Sequence, residues 1–171
     1  KFEGVAQFAW EAAGPGLATT YCHVSIGDTT YIGTGSGVYK TINGTSWIKV
    51  STNLPERQYV QALHYDGTTM YAALSPDSNQ VYTSTDMGVT WALANTGITG
   101  TTYFFGFCQL GNRVYLSYSN SNNQIFYTEN SGGSWTTQQL PDYGMVYANN
   151  GMLYFTARNY LIYSSADTGQ T

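Results

Sequence analysis

At 171 residues, with six Lys+Arg against ten Asp+Glu, the chain has the length of one domain and a net charge of −4. Charged residues make up only 9% of it, too few for long Lys/Glu-rich helices. Six scattered cations form no basic stripe for phosphate, so nucleic acid is excluded as the expected partner.

No run of about 18 apolar residues exists, and insertion into a membrane is not expected. Aromatic residues reach 16%, with 16 Tyr, and together with Thr, Ser, Gly and Val they favour pleated strands and tight turns.

In chain order, Phe8-Ala9-Trp10-Glu11 reads as the fourth strand of a unit spanning about 1–14. Further units follow at about 21–50, 57–94, 102–139 and 144–171. The unit from Arg57 to Trp91 is the clearest. Tyr59–Tyr65 is a first strand, and Asp66-Gly67 is a hairpin turn. Thr69–Leu74 is a second strand, Val81–Ser84 a third, and Trp91–Ala94 a fourth. First-to-second turns recur at Gly27-Asp28, Gly111-Asn112 and Asn150-Gly151. Third strands recur as Val38–Thr41, Ile125–Thr128 and Leu161–Ser164, each an aliphatic start with a hydroxyl end.

A phrase closes each unit: Ser84-Thr85-Asp86-Met87-Gly88-Val89-Thr90-Trp91 and Thr128-Glu129-Asn130-Ser131-Gly132-Gly133-Ser134-Trp135. Trp91 lies 44 residues beyond Trp47, and Trp135 lies 44 beyond Trp91. A looser copy, Thr41–Trp47, is one residue shorter, and Ser165–Thr171 stops one residue before its tryptophan. Self-similarity at roughly 40–45 residues predicts an all-β propeller with four antiparallel strands per blade. About four blades' worth is present, expected as part of a larger propeller. Alternatively the strand around Trp10 completes the last blade, closing a small ring or pairing two chains through open blade edges.

Within the phrase, Asn43, Asp86, Asn130 and Asp167 are placed to accept backbone N–H bonds of the turn. Gly88, Gly132 and Gly169 supply backbone angles that a Cβ penalises. Trp47, Trp91 and Trp135 bury a ring between sheets and require a partner for the indole N–H. Each turn offers at most one acidic side chain at the third place, short of the several oxygens a hard cation wants, so no metal is expected.

These residues resemble the Asp-box, or BNR, repeat, Ser/Thr-x-Asp-x-Gly-x-Thr/Ser-Trp. Asn130 stands for Asp in the second full copy, and the resemblance covers about residues 10–171. Phrases such as Ile32–Thr41 look most like secreted bacterial repeat proteins. The resemblance implies a propeller whose box is structural and lies away from the active face. It also implies an extracellular or cell-surface setting, and relatives that include sialidases and xyloglucan-cleaving glycosidases.

Three functions compete for such a chain. A sialidase needs three clustered arginines. Arg57, before a first strand, and Arg158, after a second, belong near one end of the strands, whereas Arg113 lies in a turn at the other. Sugar hydrolysis needs paired carboxylates about 5–10 Å apart. Glu56, Asp77 and Asp142 come from loops of successive blades and read as solvated turn residues. His23 and His64 sit on first strands without a triad pattern. An enzyme is therefore the alternative reading, a glycoside hydrolase of sialidase or xyloglucanase type whose site needs further blades.

The preferred reading is a non-catalytic binding or scaffolding module for a carbohydrate, peptide or protein partner, without a cofactor. Its candidate contacts are Arg57, Tyr59, Tyr103, Tyr143 and Arg158. Phe104, Tyr118, Tyr160 and the amides Asn79, Gln80, Asn120, Asn122 and Asn123 lie nearby. Tyrosine gives contact area and a hydroxyl at modest entropy cost. Cys22 and Cys108, two repeats apart on first strands, are expected as buried free thiols.

Overall fold

The computed structural model describes residues 19–56, 59–75, 80–100, 103–119, 122–142, 144–158 and 160–169, and every regular element among them is a strand. The unit placed around Trp10 lies outside these residues. β1 (Thr20–Ile26), β2 (Thr29–Thr34), β3 (Gly37–Thr41) and β4 (Ile48–Lys49) form one antiparallel sheet in that order. β5 (Tyr59–Tyr65), β6 (Met70–Ser75), β7 (Gln80–Ser84) and β8 (Ala92–Leu93) repeat it. So do β9 (Phe104–Leu110), β10 (Arg113–Tyr118), β11 (Gln124–Thr128) and β12 (Thr136–Gln139). The fourth sheet has the order β13 (Gly144–Asn149), β14 (Met152–Ala157), β15 (Ile162–Ser165). These meanders are the blades of a β-propeller.

Turn chemistry sets the hairpins. At Asn150-Gly151 both residues have positive φ, 49° and 76°, the two-residue turn whose twist matches the flanking strands. The first strands β1, β5, β9 and β13 then pack side by side, which stacks the blades face to face. The second strands of the two middle blades, β6 and β10, are buried on both faces. On β6, Met70, Ala72 and Leu74 join a core shared with blade one, while Tyr71 and Ala73 join a core shared with blade three. A third core between blades three and four gathers Tyr115, Ile125, Leu140, Val146, Leu153 and Phe155. Two buried faces remove the need for a polar side, which is why these strands read as nearly continuous apolar runs.

The turn before each fourth strand is built by its own hydroxyl and its acceptor. Ser84 Oγ donates to Asp86 Oδ1 at 2.7 Å and accepts from Gly88 N at 2.9 Å. Asp86 Oδ1 also accepts from Thr90 N at 2.9 Å, and Oδ2 accepts from the Thr90 hydroxyl. Those donors, the Thr90 hydroxyl first, hold the exposed Asp86 carboxyl down at about 2. Thr128 and Asn130 make the same pattern, with Ser134 N donating to Asn130 Oδ1 at 2.9 Å. In the fourth turn Ser165 Oγ bonds Asp167 Oδ1 and Gly169 N.

Each of these three turns contains two consecutive left-handed residues, Met87-Gly88, Ser131-Gly132 and Thr168-Gly169. The first of each pair is not glycine and carries a strain on the order of 1 kcal/mol. The shorter turn avoids it. There Gly44 alone is left-handed, its N–H reaches Thr41 Oγ1 three residues back at 2.9 Å, and Asn43 Oδ1 accepts from Thr45 N and Ser46 N.

The turns at Asp86 and Asn130 then deliver their tryptophans to the preceding blade. The Trp91 indole N–H donates to Val50 O at 3.0 Å and to Gly88 O at 2.9 Å, while its backbone N–H donates to Thr52 O. The Trp135 indole donates to Ala94 O at 2.8 Å, and its backbone N–H to Thr96 O. Both rings are buried. Trp47 is half-buried, ahead of β4.

Cys22 and Cys108 are free thiols, and Cys22 Sγ bonds Val60 O at 3.3 Å. Burial pushes both thiols up to about 12. Neither forms appreciable thiolate at pH 8, so a thiol-reactive dye should label the native chain at least tenfold more slowly than the denatured one.

Trp91→Ala removes a buried ring and two indole hydrogen bonds, one to Val50 O of the preceding blade and one to Gly88 O of its own turn. It should cost about 3–5 kcal/mol in denaturant unfolding, with Trp91→Phe losing about 1–3 kcal/mol through the orphaned carbonyls alone.

Candidate functional site

The amino ends of β1, β5, β9 and β13 open on one end of the propeller. In the first three blades a β-bulge interrupts the first strand at that end. Pairing shifts across Tyr21 in β1, across Gln61 in β5 and across Phe105 in β9. A bulge leaves its extra residue outside the ladder and re-aims its side chain, a device common at rims and binding sites.

At this end Tyr21 stacks on Tyr59 of the neighbouring blade, with ring centroids 5.3 Å apart and planes at 31°. Tyr21 and Tyr59 are each 40% exposed as residues, and Tyr103, which precedes β9 as Tyr59 opens β5, is 60% exposed. Three exposed tyrosines from three successive blades thus stand on one rim. Arg158 is exposed in the connection from β14 to β15, beside Tyr160, which is almost wholly exposed and left-handed at φ 66°. Arg57 and Tyr143 lie outside the described residues, as do Asp77, Asn79 and Asn120.

Tyr21 has no counterpart in the sequence reading. Its signal was a tyrosine one place after the position that opens the pairing, which strand alternation hides. Phe104 and Tyr118, expected near the rim, are core residues instead. Phe104 is buried between blades two and three, and Tyr118 stacks on Phe126 at 4.3 Å. Their places in the pairing of β9 with β10 turn both rings toward blade two.

Arg113 belongs to the opposite end, as the first residue of β10 after the turn from β9. Its Nε bonds Glu129 Oε1 at 2.6 Å, its guanidinium lies 4.3 Å from the Tyr127 ring centre, and Nη1 reaches Thr168 Oγ1 at 3.2 Å. It is therefore a tie between blades three and four, removed from Arg158. Glu56 is exposed, Asp142 is half-buried, and no group of His, Cys, Asp and Glu suited to a metal ion occurs among the described residues.

Along the first strands, His64 Nε2 meets Gln109 Oε1 at 3.3 Å, linking β5 to β9. His64 also stacks on Phe107, with ring centroids 6.1 Å apart. Burial, the largest cause, lowers its pKa below the usual 6.5, against opposing effects of Gln109 and Asp66. His23 is exposed on β1.

The same fold recurs in solved structures of low identity. YCF48 bound to D1 peptide superposes with a TM-score of 0.66 at 16% identity, over 90% of this chain and 53% of that one. The Niastella koreensis GH74 enzyme gives 0.65 at 18%, over 92% of this chain and 24% of that one. The extracellular domain of BT4673 from B. thetaiotaomicron gives 0.65 at 13%, over 86% and 21%. The chain therefore spans between a fifth and about half of the length of these relatives. No family model matches it, and no curated protein sequence does.

Because native His64 binds its proton later than the unfolded chain does, the unfolded state takes up more protons as pH falls below about 6.5. Stability is therefore lost in that direction. The thermal midpoint should drop between pH 7 and pH 5, and His64→Gln should flatten that slope.

Proposed function

We propose that this chain is a non-catalytic binding module of the Asp-box propeller type, working outside the cell, with its partner held on the tyrosine-bearing rim. The observation that carries this reading is the exposed, stacked pair Tyr21–Tyr59, with Tyr103 on the next blade. A ring pair that spans two blades, half open to water, is preorganised contact area with little entropy left to lose. Flat rings suit the faces of sugars and the rings of proline or aromatic side chains in a peptide. Arg57, Arg158 and Tyr143 are proposed as flanking contacts.

Support from the comparisons is of one kind: YCF48 is a propeller solved with a bound peptide. The turns at Asp86, Asn130 and Asp167, with their glycines and tryptophans, are proposed as structural, because their bonds are spent within the turn and on the preceding blade. The alternative is a sugar-cleaving enzyme, for which the GH74 likeness is the support, and there the chain would supply about a quarter of the fold.

A glycan array and a peptide library screened with the chain would test the proposal. A selected ligand should lose at least tenfold in affinity in Tyr21→Ala and in Tyr59→Ala, about 1.4 kcal/mol or more each. Ligands indifferent to both changes would overturn it. Turnover of a glucan or sialyl substrate, abolished by Glu56→Gln or Asp142→Asn, would establish the enzyme instead.

A further inference from the structure

The bulge in each of the first three blades sets one side chain outside the ladder, and the three are Tyr21, Gln61 and Phe105. Tyr21 alone among them carries a phenol. It meets a second phenol on the next blade, that of Tyr59, with ring centroids 5.3 Å apart. Both residues are open to water. A further tyrosine pair, Tyr115 and Tyr127, has centroids 6.2 Å apart, but Tyr115 is wholly buried and the Arg113 guanidinium covers the Tyr127 ring. Tyr103, Tyr147 and Tyr160 are exposed, yet among the described residues none of them stacks on another tyrosine.

Two accessible phenols in contact have a chemistry that a single phenol lacks. A one-electron oxidant takes an electron and a proton from each, leaving unpaired spin on the oxygen and on the ring carbons ortho to it, the Cε atoms. Radicals held side by side then join Cε to Cε, a bimolecular step made effectively unimolecular by the fold. Joining the rings edge to edge requires one of them to swing about its Cα–Cβ bond. Tyr21 has the room, because it stands outside the ladder at an open rim.

We propose that Tyr21 and Tyr59 form an oxidative cross-linking site, at which hydrogen peroxide and a haem peroxidase join them as dityrosine and fasten blade one to blade two. Two Cε–H bonds break and one Cε–Cε bond forms. The two electrons and two protons released reduce one peroxide to two waters. The bond closes the segment between residues 21 and 59 into a loop, which takes freedom from the unfolded chain and raises the thermal midpoint. The reaction needs only the stacked geometry of the pair, so a rim that selects no ligand leaves it standing.

The test treats the 171-residue chain with a haem peroxidase and hydrogen peroxide, at a dilution that suppresses encounters between molecules. The product should stay monomeric on a denaturing gel, show dityrosine fluorescence and be lighter by two hydrogen atoms. Cleavage after Lys40 and Arg57 places the two tyrosines in separate tryptic peptides, 2–40 and 58–113. These should be recovered joined, with fragmentation placing the bond at Tyr21 and Tyr59. The joined chain should melt at a higher temperature than the untreated one.

Tyr59→Phe keeps the ring and removes the phenol, and it should lose the monomeric product. Tyr103→Phe should retain it. In denaturant the bond between Tyr21 and Tyr59 should lose its preference over other tyrosine pairings. Dityrosine formed only between molecules, or at another pair within the chain, would overturn the proposal. So would a monomeric product that survives in Tyr59→Phe, an equal yield of the same bond from the denatured chain, or an unchanged melting temperature.

Discussion

The hydrogen bond from an indole to the carbonyl of the blade before it is what gives this propeller a fixed geometry. Apolar burial between sheets is large but has no direction, and two pleated faces packed only through it can slide. The bonds from Trp91 to Val50 O and from Trp135 to Ala94 O, 2.8–3.0 Å long, have direction. Each is doubled by a backbone bond, to Thr52 O and Thr96 O, so a blade is held at two points along its neighbour. The long turns exist to aim the ring. Their two left-handed residues store strain that the network of hydroxyl, acceptor and backbone N–H bonds offsets.

Rigid blades in turn define the rim. With first strands held side by side, a bulge in one of them moves a side chain relative to a stationary neighbour. That is how Tyr21 of blade one comes to stack on Tyr59 of blade two. The opposite end is used differently. Arg113 ties Glu129, Tyr127 and the fourth turn together, so its charge is consumed within the fold.

Much of this architecture is legible in the residues, because turn and strand signals are local. Asp66-Gly67 and Asn150-Gly151 fall between paired strands, and the strands read from Tyr59 to Ser84 match β5 to β7 within a residue. What the residues do not disclose is the register at strand ends. Tyr21 sits at a bulge, and a bulge breaks the alternation from which facing is inferred. Phe104 and Tyr118 mislead for a related reason. Both lie at strand ends, yet an aromatic at the end of a doubly covered strand still faces the next sheet.

The turn network has a bearing on how charge is distributed over the molecule. Its acceptor must present an oxygen to the turn's hydroxyl and to a backbone N–H, which an amide does as well as a carboxylate: Asn130 Oδ1 accepts from Thr128 and Ser134 N as Asp86 Oδ1 accepts from Ser84 and Thr90 N, and Asn43 Oδ1 serves the shorter turn. Along the chain these positions read amide, carboxylate, amide, carboxylate, ending in Asp167. Asp86 and Asp167 therefore stand two blades apart, the one carboxylate on the turn between them, Glu129, is paired with Arg113, and an anionic molecule spares its outer hairpins the mutual repulsion that a uniform row of aspartates would impose.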